Sequence, residues 1–501
     1  MRTRATGAGF GILATLVGIG LAHAVAALTV PATSPVLAVG SAVIDLTPTP
    51  MKEWAIRTFG SADKVILVGS VLLGVLVLAG IAGLLARRRV RYGAALLLAL
   101  VAVAGVAVLS RPAARPLDLL PSAVAAIAAV AALLWLARAH AAAAAGPTGG
   151  GRRGVLVAAG VLTLVAAAGG AAGRVISGLR LRPEDVALPD PTDPAKAFPK
   201  GLDDQVPGIT QFRTPNSEFY RVDTRLDVPV VSVDDWRLVV DGDVAEELTL
   251  TFDDLLEMDV IERDITLTCV SNTVGGPYVG GARWLGVRLT DVLDRAQVGT
   301  TADQILSTDV DGMTISTPLD LATDGRDAMI AFGMNGEPLP REHGFPVRMV
   351  IPGLYGFISA TKWVTKLTLT TYADQQAYWT ERDWATDAPI KPSARIDTPE
   401  ALADLDAGEV VVGGVAWAQF DEGVQKVQVR IDGGAWEDAN LGADAGNVYW
   451  RQWFFKWDAE PGSHRIAVRT LTGDGETQTP ARAEPFPEGA SGLHELIVNV
   501  A

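Results

Sequence analysis

The sequence predicts a multidomain protein: an α-helical transmembrane bundle, then a mixed α+β domain, then a β-sandwich. Long apolar stretches fill the first third of the chain, short strands mixed with helix starts follow, and regularly spaced short strands end it. We expect a membrane domain at 1–179, a proline-rich linker at 180–208, the mixed domain at 209–393 and the sandwich at 394–501.

Five apolar stretches are predicted to cross a bilayer, because a helix of about 20 apolar residues spans its hydrocarbon core. The stretches are Phe10–Leu28, Val65–Ala86, Ala94–Leu109, Leu119–Ala137 and Gly154 to about Ile176. The third is short for a span. Their alanine and glycine residues favour a closely packed helix bundle over a disordered linker.

Basic residues predict the orientation of this bundle, since Lys and Arg accumulate in cytoplasmic loops. One side carries Arg2, Arg4, Arg87, Arg88, Arg89, Arg91, Arg138, Arg152 and Arg153. The opposite loops carry Lys52, Arg57, Lys64, Arg111 and Arg115. This excess predicts a multi-pass protein of the cell membrane with a cytoplasmic N-terminus. The odd number of spans then places residues 180–501 outside the cytoplasm.

The pair Arg152-Arg153 directly precedes the last apolar stretch, and two interpretations of it stay open. It resembles a twin-arginine export signal, which moves folded proteins that have been loaded with a cofactor in the cytoplasm. Arginines at this position also serve as ordinary cytoplasmic charge beside a membrane helix.

Charge divides the chain into two dissimilar parts. Residues 1–179 carry 15 Lys and Arg against 4 Asp and Glu, whereas residues 180–501 carry 27 against 53. The acidic part would repel phosphates, so nucleic acid is excluded as a partner. The linker at 180–208 is acidic and holds Pro183, Pro189, Pro191, Pro194, Pro199 and Pro207. Such a segment is typical of an extended spacer.

Cys269 is the only cysteine of the chain, so no disulfide can form within it. An alternating, β-branched run at Ile265–Thr268 predicts a strand that ends just before it, and a polar, glycine-rich loop follows. A thiol at a strand end can meet a bound cofactor. A small, inert core residue is the alternative, because free cysteines are usually buried.

Several segments in one order resemble motifs of the sulfite oxidase family of molybdopterin enzymes. They are Thr266–Asn272, Ala282–Leu289, Met334–Arg348, Val350–Gly356 and Ala360–Trp363. In that family the cysteine thiolate is a protein ligand of molybdenum, and a soft thiolate suits this metal. The resemblance implies a sulfite-oxidase fold for 209–393, a molybdenum–molybdopterin (Mo-MPT) cofactor and a metal-ligating, catalytic Cys269.

The resemblance also names the other candidate site residues. Arg221 is the second catalytic candidate, because Phe219-Tyr220-Arg221 fits a family pattern that supplies an anion-binding arginine. The candidate cofactor-binding residues are Tyr220, Arg221, Cys269, Ser271, Asn272, Asp309, His343, Arg348, Ala360, Thr361 and Lys362. Of these, Arg348 lies between apolar residues of a predicted strand, where a buried cation needs a partner.

Two departures from the family concern the substrate. The arginine pair that follows the cysteine motif is replaced by Thr273 and Val274, and a metal-proximal tyrosine is replaced by Trp384. Losing a cation and a phenol weakens anion binding and proton transfer. The expected substrate is therefore a small oxyanion or sulfur compound, with sulfite itself in doubt.

The predicted function is that of a membrane-anchored Mo-MPT oxidoreductase that transfers an oxygen atom. The chain contains no haem-attachment or iron–sulfur cysteines, so we expect a separate electron carrier, a cytochrome or a quinone-linked protein. A sulfoxide or oxyanion reductase using the same site is one alternative. A cofactorless scaffold or sensor that keeps the fold is another.

Regular alternating strands predict an immunoglobulin-like sandwich at 394–501. They are Glu409–Ala418, Val424–Ile431, Trp450–Trp457 and His464–Thr470. This part resembles the C-terminal dimerisation domain of sulfite oxidases, which suggests a homodimer. Trp450, Trp453 and Trp457 suit either a sandwich core or an interface, and core is the more usual place for tryptophan.

Overall fold

The computed structural model describes residues 2–48, 51, 54–55, 58–59, 62–145, 150–180, 186–419 and 422–501. Lys52, Arg57 and the first residues of the predicted linker, 181–185, lie outside the described residues. The chain forms two compact units: Met1–Arg182 with Asp223–Val230, and Pro183–Val222 with Val231–Ala501. The predicted domain boundaries at 180, 209 and 394 stay predictions.

The first unit is helical, and its long helices are apolar. The helices are α1 (Arg2–Leu28), α2 (Pro35–Leu46), α3 (Asp63–Ala86), α4 (Val90–Leu109), α5 (Leu120–Ala145) and α6 (Gly150–Arg180). Within the described ranges, five of them are long and apolar enough to cross a membrane; α2 is too short. This confirms the five predicted spans, while their orientation stays a prediction.

Glycine allows two of these helices to touch. A Cβ atom added to Gly11 of α1 would lie 1.9 Å from the carbonyl oxygen of Ala79 in α3. One added to Gly83 of α3 would lie 2.1 Å from the carbonyl oxygen of Gly7. Any larger residue would therefore separate α1 from α3, which is the expected use of small residues between membrane helices.

The mixed part of the second unit contains two sheets. One sheet has the order β3-β4-β7-β8, with β9 paired to β7, and the other has the order β2-β1-β10-β5-β6. The strands are β1 (Arg237–Gly242), β2 (Leu248–Thr251), β3 (Val260–Thr268), β4 (Val279–Arg288), β5 (Gln304–Asp309), β6 (Thr314–Pro318), β7 (Met329–Met334), β8 (Glu337–Pro338), β9 (Arg348–Val350) and β10 (Val364–Thr370). This is the mixed α+β architecture that the sequence predicts.

Short helices connect these strands. They are α7 (Phe252–Leu256), α8 (Leu289–Ala296), α9 (Leu319–Thr323) and α10 (Gly356–Ser359). The predicted helix start at 252 is present because Thr251 caps it: the Thr251 hydroxyl accepts the Asp254 N–H, and the Asp254 carboxylate accepts the Thr251 N–H.

The antiparallel hairpin of β3 and β4 carries the Cys269 loop. Its register runs from Val260 opposite Val287 to Thr268 opposite Val279. The end of β3 is buried on both faces, as expected for a strand inside a domain. Consequently the loop 269–278 leaves the sheet from a fixed, buried position.

The C-terminal part is an immunoglobulin-like sandwich of two sheets, as predicted. One has the order β11-β13-β17-β16 and the other β12-β19-β18-β14-β15. The strands are β11 (Ser393–Thr398), β12 (Asp404–Leu405), β13 (Gly408–Trp417), β14 (Val424–Ile431), β15 (Glu437–Asp438), β16 (Asn440–Leu441), β17 (Arg451–Ala459), β18 (Gly462–Thr472) and β19 (His494–Val500). Trp453 lies in the sandwich core, Trp450 lies in the core of the mixed domain and Trp457 is only partly buried.

The described part of the proline-rich segment lies along the mixed domain. The N–H of Thr192 donates to the carbonyl oxygen of Val260 over 2.8 Å, and Asp193 forms a bridge with Ile261. Phe198 packs on the buried core. The segment is therefore held against the start of β3 by an isolated bridge at Asp193 and by the packing of Phe198.

Candidate active site

Cys269 follows β3 directly, at the base of the loop 269–278. Its side chain is buried, with 9% of the residue surface exposed. Its N–H donates to the carbonyl oxygen of Tyr278 over 3.0 Å, which closes the loop at the hairpin end. The predicted arrangement of a thiol at a strand end beside a polar loop is present.

Ser271 and Asn272 make different contacts in the loop. The Sγ atom of Cys269 lies 2.9 Å from the Oγ atom of Ser271. Burial raises the pKa of the Cys269 thiol, while the hydrogen bond to Ser271 and the charge of Lys362 oppose that rise. Asn272 uses its Oδ1 atom to accept the N–H of Tyr278 at 2.9 Å, so this side chain shapes the loop.

Arg348 is a buried cation on β9, with 5% of its surface exposed. Its guanidinium donates to the carbonyl oxygens of His343 and Met349, at 3.1 and 3.3 Å, and more weakly to that of Ala360. No carboxylate of the described residues pairs with it. Burial lowers the pKa of Arg348 to about 10, because a buried cation is poorly solvated.

His343 lies in a turn beside this cation. Its Nε2 atom is 2.9 Å from the carbonyl oxygen of Asn216 and must donate to it, which leaves Nδ1 as an acceptor. Burial lowers the pKa of His343 to about 4, and the positive charges of Arg348, Lys362 and Arg221 act in the same direction. The imidazole is therefore neutral near pH 7.

Residues 360–362 present a short segment next to Arg348. The Thr361 carbonyl oxygen accepts the N–H of Met349, and its hydroxyl lies 2.6 Å from that of Ser307. Lys362 lies over the Trp363 ring at 4.7 Å and donates to the Glu342 carbonyl oxygen over 3.4 Å. The Ala360 carbonyl oxygen faces the Arg348 guanidinium.

Asp309 ends β5 and is buried. Its Oδ1 atom accepts the N–H groups of Asp311 and Met313, at 2.8 and 3.0 Å. These contacts stabilise the turn between β5 and β6. Asp309 pairs with Val364 of β10, and Val364 follows Lys362 by two residues. Asp309 therefore lies near the segment 360–362.

Tyr220 and Arg221 approach from an earlier part of the chain. The Tyr220 ring stacks on Phe219 at 5.1 Å, and Phe219 in turn meets the His343 ring at 5.5 Å. Burial and the nearby Cys269 raise the pKa of the Tyr220 phenol, whereas Arg348 acts against the rise. Arg221 is exposed and contributes positive charge at His343.

These contacts bring most of the predicted site residues into one neighbourhood. Tyr220 is electrostatically linked to both Cys269 and Arg348, and Lys362 is linked to both Cys269 and His343. The result is a thiol beside concentrated positive charge with little acidic compensation. A phosphate group suits such cations, and a neutral imidazole acceptor suits a pterin N–H group.

A buried hydroxyl supports the same fit. The Thr268 Oγ atom, one residue before Cys269, is buried without a hydrogen-bond partner among the described residues. Buried polar groups are nearly always satisfied, so this atom points to a missing partner. The residues present therefore fit a molybdopterin cofactor whose metal would be held by Cys269.

Thr268 and Tyr355 are site residues that the sequence interpretation missed. Tyr355 is buried; burial and the nearby Cys269 raise the pKa of its phenol to about 12. Both residues lie inside the segments Thr266–Asn272 and Val350–Gly356 already singled out. Their position in those segments was the available signal, but the contacts of each side chain depend on residues distant in the sequence.

Part of the chain is similar to known molybdopterin proteins. Residues 225–379 match the family described as "Oxidoreductase molybdopterin binding domain". Mitochondrial sulfite oxidase of Rattus norvegicus is 32% identical over 289 residues, covering 48% of this chain and 52% of that protein. The human enzyme is 31% identical over 320 residues, covering 54% and 58%. The chain thus spans about half the length of these curated relatives.

Other relatives differ in their chemistry. NADH nitrate reductase of Spinacia oleracea is 25% identical over 315 residues, covering 50% of this chain and 34% of that protein. The sulfane dehydrogenase SoxCD of Paracoccus pantotrophus has a similar structure, with a TM-score of 0.52, 22% identity and coverage of 58% and 84%. At this identity the structural likeness concerns the fold alone. Over about half of its length the chain is thus similar to sulfite oxidases, and its residues 225–379 match a molybdopterin-binding oxidoreductase domain.

Proposed function

We propose that this chain is a membrane-anchored Mo-MPT oxidoreductase that transfers an oxygen atom to or from a small sulfur compound or oxyanion. The observation that carries the proposal is the buried Cys269 thiol, hydrogen-bonded to Ser271 and within the electrostatic reach of the Lys362 cation. When bound, the cofactor supplies two-electron oxygen-atom transfer. Cys269 would hold its metal.

The residues around the thiol have complementary roles in this proposal. Arg348 and Lys362 bind the negative charge of the cofactor, and His343 Nδ1 accepts a hydrogen bond from its polar ring. Asn272 keeps the loop closed through Tyr278. The exposed Arg221 binds the anionic substrate at the mouth of the site and orients it for transfer.

Placement in the membrane gives the rest of the proposal. The five apolar helices anchor the chain, with the N-terminus in the cytoplasm and residues 180–501 outside. A separate cytochrome or quinone-linked protein exchanges electrons with the metal. The sandwich supports a homodimer, as its likeness to the family's dimerisation domain suggests.

Direction of transfer separates the two enzymatic candidates. Full-length protein is purified in detergent and assayed for molybdenum and pterin. Under anaerobic conditions, the oxidised protein is then mixed with sulfite, and the reduced protein is mixed with sulfoxides or nitrate. We expect the metal spectrum to change with at least one of these compounds within a single turnover. Protein that contains no molybdenum, with Cys269 intact, would favour a cofactorless scaffold instead.

The reductase alternative has one observation in its favour. Trp384 replaces the metal-proximal tyrosine of sulfite oxidases, and its indole Nε1 atom is buried without a described hydrogen-bond partner. Its ring contacts Phe357, Trp379 and Phe486 at 5.2–5.8 Å. An apolar aromatic wall suits a less charged substrate, such as a sulfoxide, better than a dianion.

A further inference from the structure

The tip of the Cys269 loop is contacted by the C-terminal sandwich. Gly276, near the tip, accepts a 2.9 Å hydrogen bond at its carbonyl oxygen from Nη1 of Arg395 in β11. Gly276 and Arg395 are 119 positions apart in the chain. Tyr278, two residues after Gly276, bonds both the Cys269 N–H and the Asn272 side chain, so the tip lies within a loop that is closed at Cys269.

Arg395 is itself held in place. Its Nε atom donates to Oδ1 of Asp397 at 2.6 Å, and its Nη2 atom donates to Oγ1 of Thr210 at 2.7 Å. The second carboxylate oxygen of Asp397 accepts the N–H of Thr210 at 3.0 Å. Arg395 is 9% exposed, and its guanidinium donates hydrogen bonds to three partners: Gly276, Asp397 and Thr210. The guanidinium therefore has little freedom to turn.

His494 of β19 meets the loop from the same side. A Cβ atom added to Gly275 would lie 2.5 Å from both Cδ2 and Nε2 of His494. The Nδ1 atom of His494 accepts the N–H of Ile396 over 3.0 Å, which fixes the ring with its Nε2 edge against the loop. Gly275 has φ of +77°, so the backbone conformation and the contact both require glycine here.

We propose that Arg395 and His494 are positioning residues that hold the Cys269 loop from outside the domain that carries it. The sandwich is then part of the catalytic apparatus, because the thiol keeps its place only while these two side chains support the loop tip. This inference rests on the proposed function only for its effect on turnover; the position of the thiol is a property of the metal-free chain.

Alkylation tests the proposal directly, since Cys269 is the only thiol in the chain. Metal-free, full-length protein in detergent is treated with iodoacetamide at pH 9, and the label is counted by mass spectrometry. Loss of a charged hydrogen bond opens the loop, so Arg395→Gln should label at least about tenfold faster than wild type. Arg395→Lys, which keeps one donor, should fall between them.

Arg430→Gln is the matched control. Arg430 lies on the same sandwich, is partly exposed and pairs with Glu495, with no contact to the loop. It should label at the wild-type rate. A rate for folded Arg395→Gln within a factor of about two of the control would overturn the proposal, since that is the scatter expected of surface substitutions.

A double-mutant cycle keeps the test decisive if Arg395→Gln does not fold. Gly275→Ala pushes the loop against the His494 ring and should speed labelling. His494→Ala removes the ring that the new methyl group would meet. The labelling rate of the double variant should therefore be lower than the rate calculated by adding the effects of the two single variants. Additive effects would contradict the assignment of His494.

The loaded enzyme gives a second readout. The electron paramagnetic resonance spectrum of the half-reduced metal should shift in Arg395→Gln while metal content remains, because a displaced thiolate alters the metal's surroundings. If Arg395→Gln alters the labelling rate but the wild-type protein binds no metal, the proposed function is contradicted and the role of Arg395 in holding the loop is retained.

Discussion

The Cys269 sulfur and the Ser271 hydroxyl oxygen lie 2.9 Å apart, although one loop residue separates them. Burial alone would keep this thiol protonated; the Ser271 hydroxyl, the Ser271 backbone N–H and the charge of Lys362 oppose this effect. The loop thereby supplies both the proposed metal ligand and the donors that favour its ionised form.

Ser271→Ala should raise the pKa of the Cys269 thiol in the metal-free protein further, because a hydrogen bond to a charged group is lost. The dependence of the alkylation rate on pH measures that shift. Ser316→Ala, which removes a hydroxyl that donates to Tyr372, is the control. An unchanged profile would mean that Ser271 does not stabilise the thiolate.

Arg348→Met should lower the molybdopterin content of purified protein at least about tenfold, since the buried cation proposed to bind the cofactor's negative charge is lost. The metal-free chain should lose little thermal stability, because the charge is costly to bury without a counter-ion. Pterin fluorescence and a thermal melt measure the two effects. Arg326→Met, which breaks a pair with Asp324, is the control; equal pterin content in all three proteins would contradict this role.

His343 makes stability depend on pH in a defined window. Its pKa in the folded chain is about 4, below the ordinary value of 6.5, so the unfolded chain binds the proton more tightly. The contribution of His343 is present above pH 6.5 and falls by up to about 3 kcal/mol as pH drops toward 4. Relative to His343→Gln, the wild-type melting temperature should therefore fall across this window. A constant difference between pH 7 and 4 would show that the imidazole is not held neutral.

Trp384→Tyr tests the substrate assignment. It restores the phenol that the sequence lacks at this position, so sulfite oxidation should rise about tenfold or more if proton transfer limits the present enzyme. Trp379→Tyr, in the same aromatic cluster, should have no such effect. A drop in sulfoxide or oxyanion reduction in Trp384→Tyr would assign the native chain to the reductive direction. Loss of both sulfite oxidation and sulfoxide or oxyanion reduction would reject a role for position 384 in choosing the substrate.

Arg152→Lys with Arg153→Lys separates the two interpretations of the arginine pair. The substitution keeps the positive charge, so a purely charge-based signal should leave the C-terminal domain outside. A twin-arginine signal should fail, leaving the domain on the cytoplasmic side. Protease protection of residues 186–501 in sealed vesicles gives the sidedness, and protection in wild type itself would reverse the predicted topology.

Local patterns predicted the elements, and long-range packing supplied the rest. The strand that ends at Thr268 and the five apolar helices are visible in alternation and hydropathy. Helix α4, which contains the third predicted stretch, begins at Val90 and not at the predicted Ala94. Arg91 and Tyr92 belong to the helix although their side chains end in polar groups. The 2.9 Å bond from Arg395 to Gly276 joins positions 119 residues apart, a distance that no local period encodes.

The candidate site shows the same division. Resemblance identified Arg348, His343 and Lys362 by their place in motifs; His343 is electrostatically linked to the other two, and Lys362 is linked to Cys269. The unpartnered Thr268 hydroxyl and the buried Tyr355 phenol depend on which way each side chain turns. Such directions follow from packing against distant residues and not from the sequence of the loop itself.

X-ray absorption at the molybdenum edge tests the central claim most directly. Wild-type protein and Cys269→Ser, loaded with the cofactor to the same metal content, are compared for the sulfur atoms that surround the metal. We expect the variant to show one sulfur neighbour fewer, together with lost turnover. The same number of sulfur neighbours in both proteins would contradict a metal-ligating Cys269.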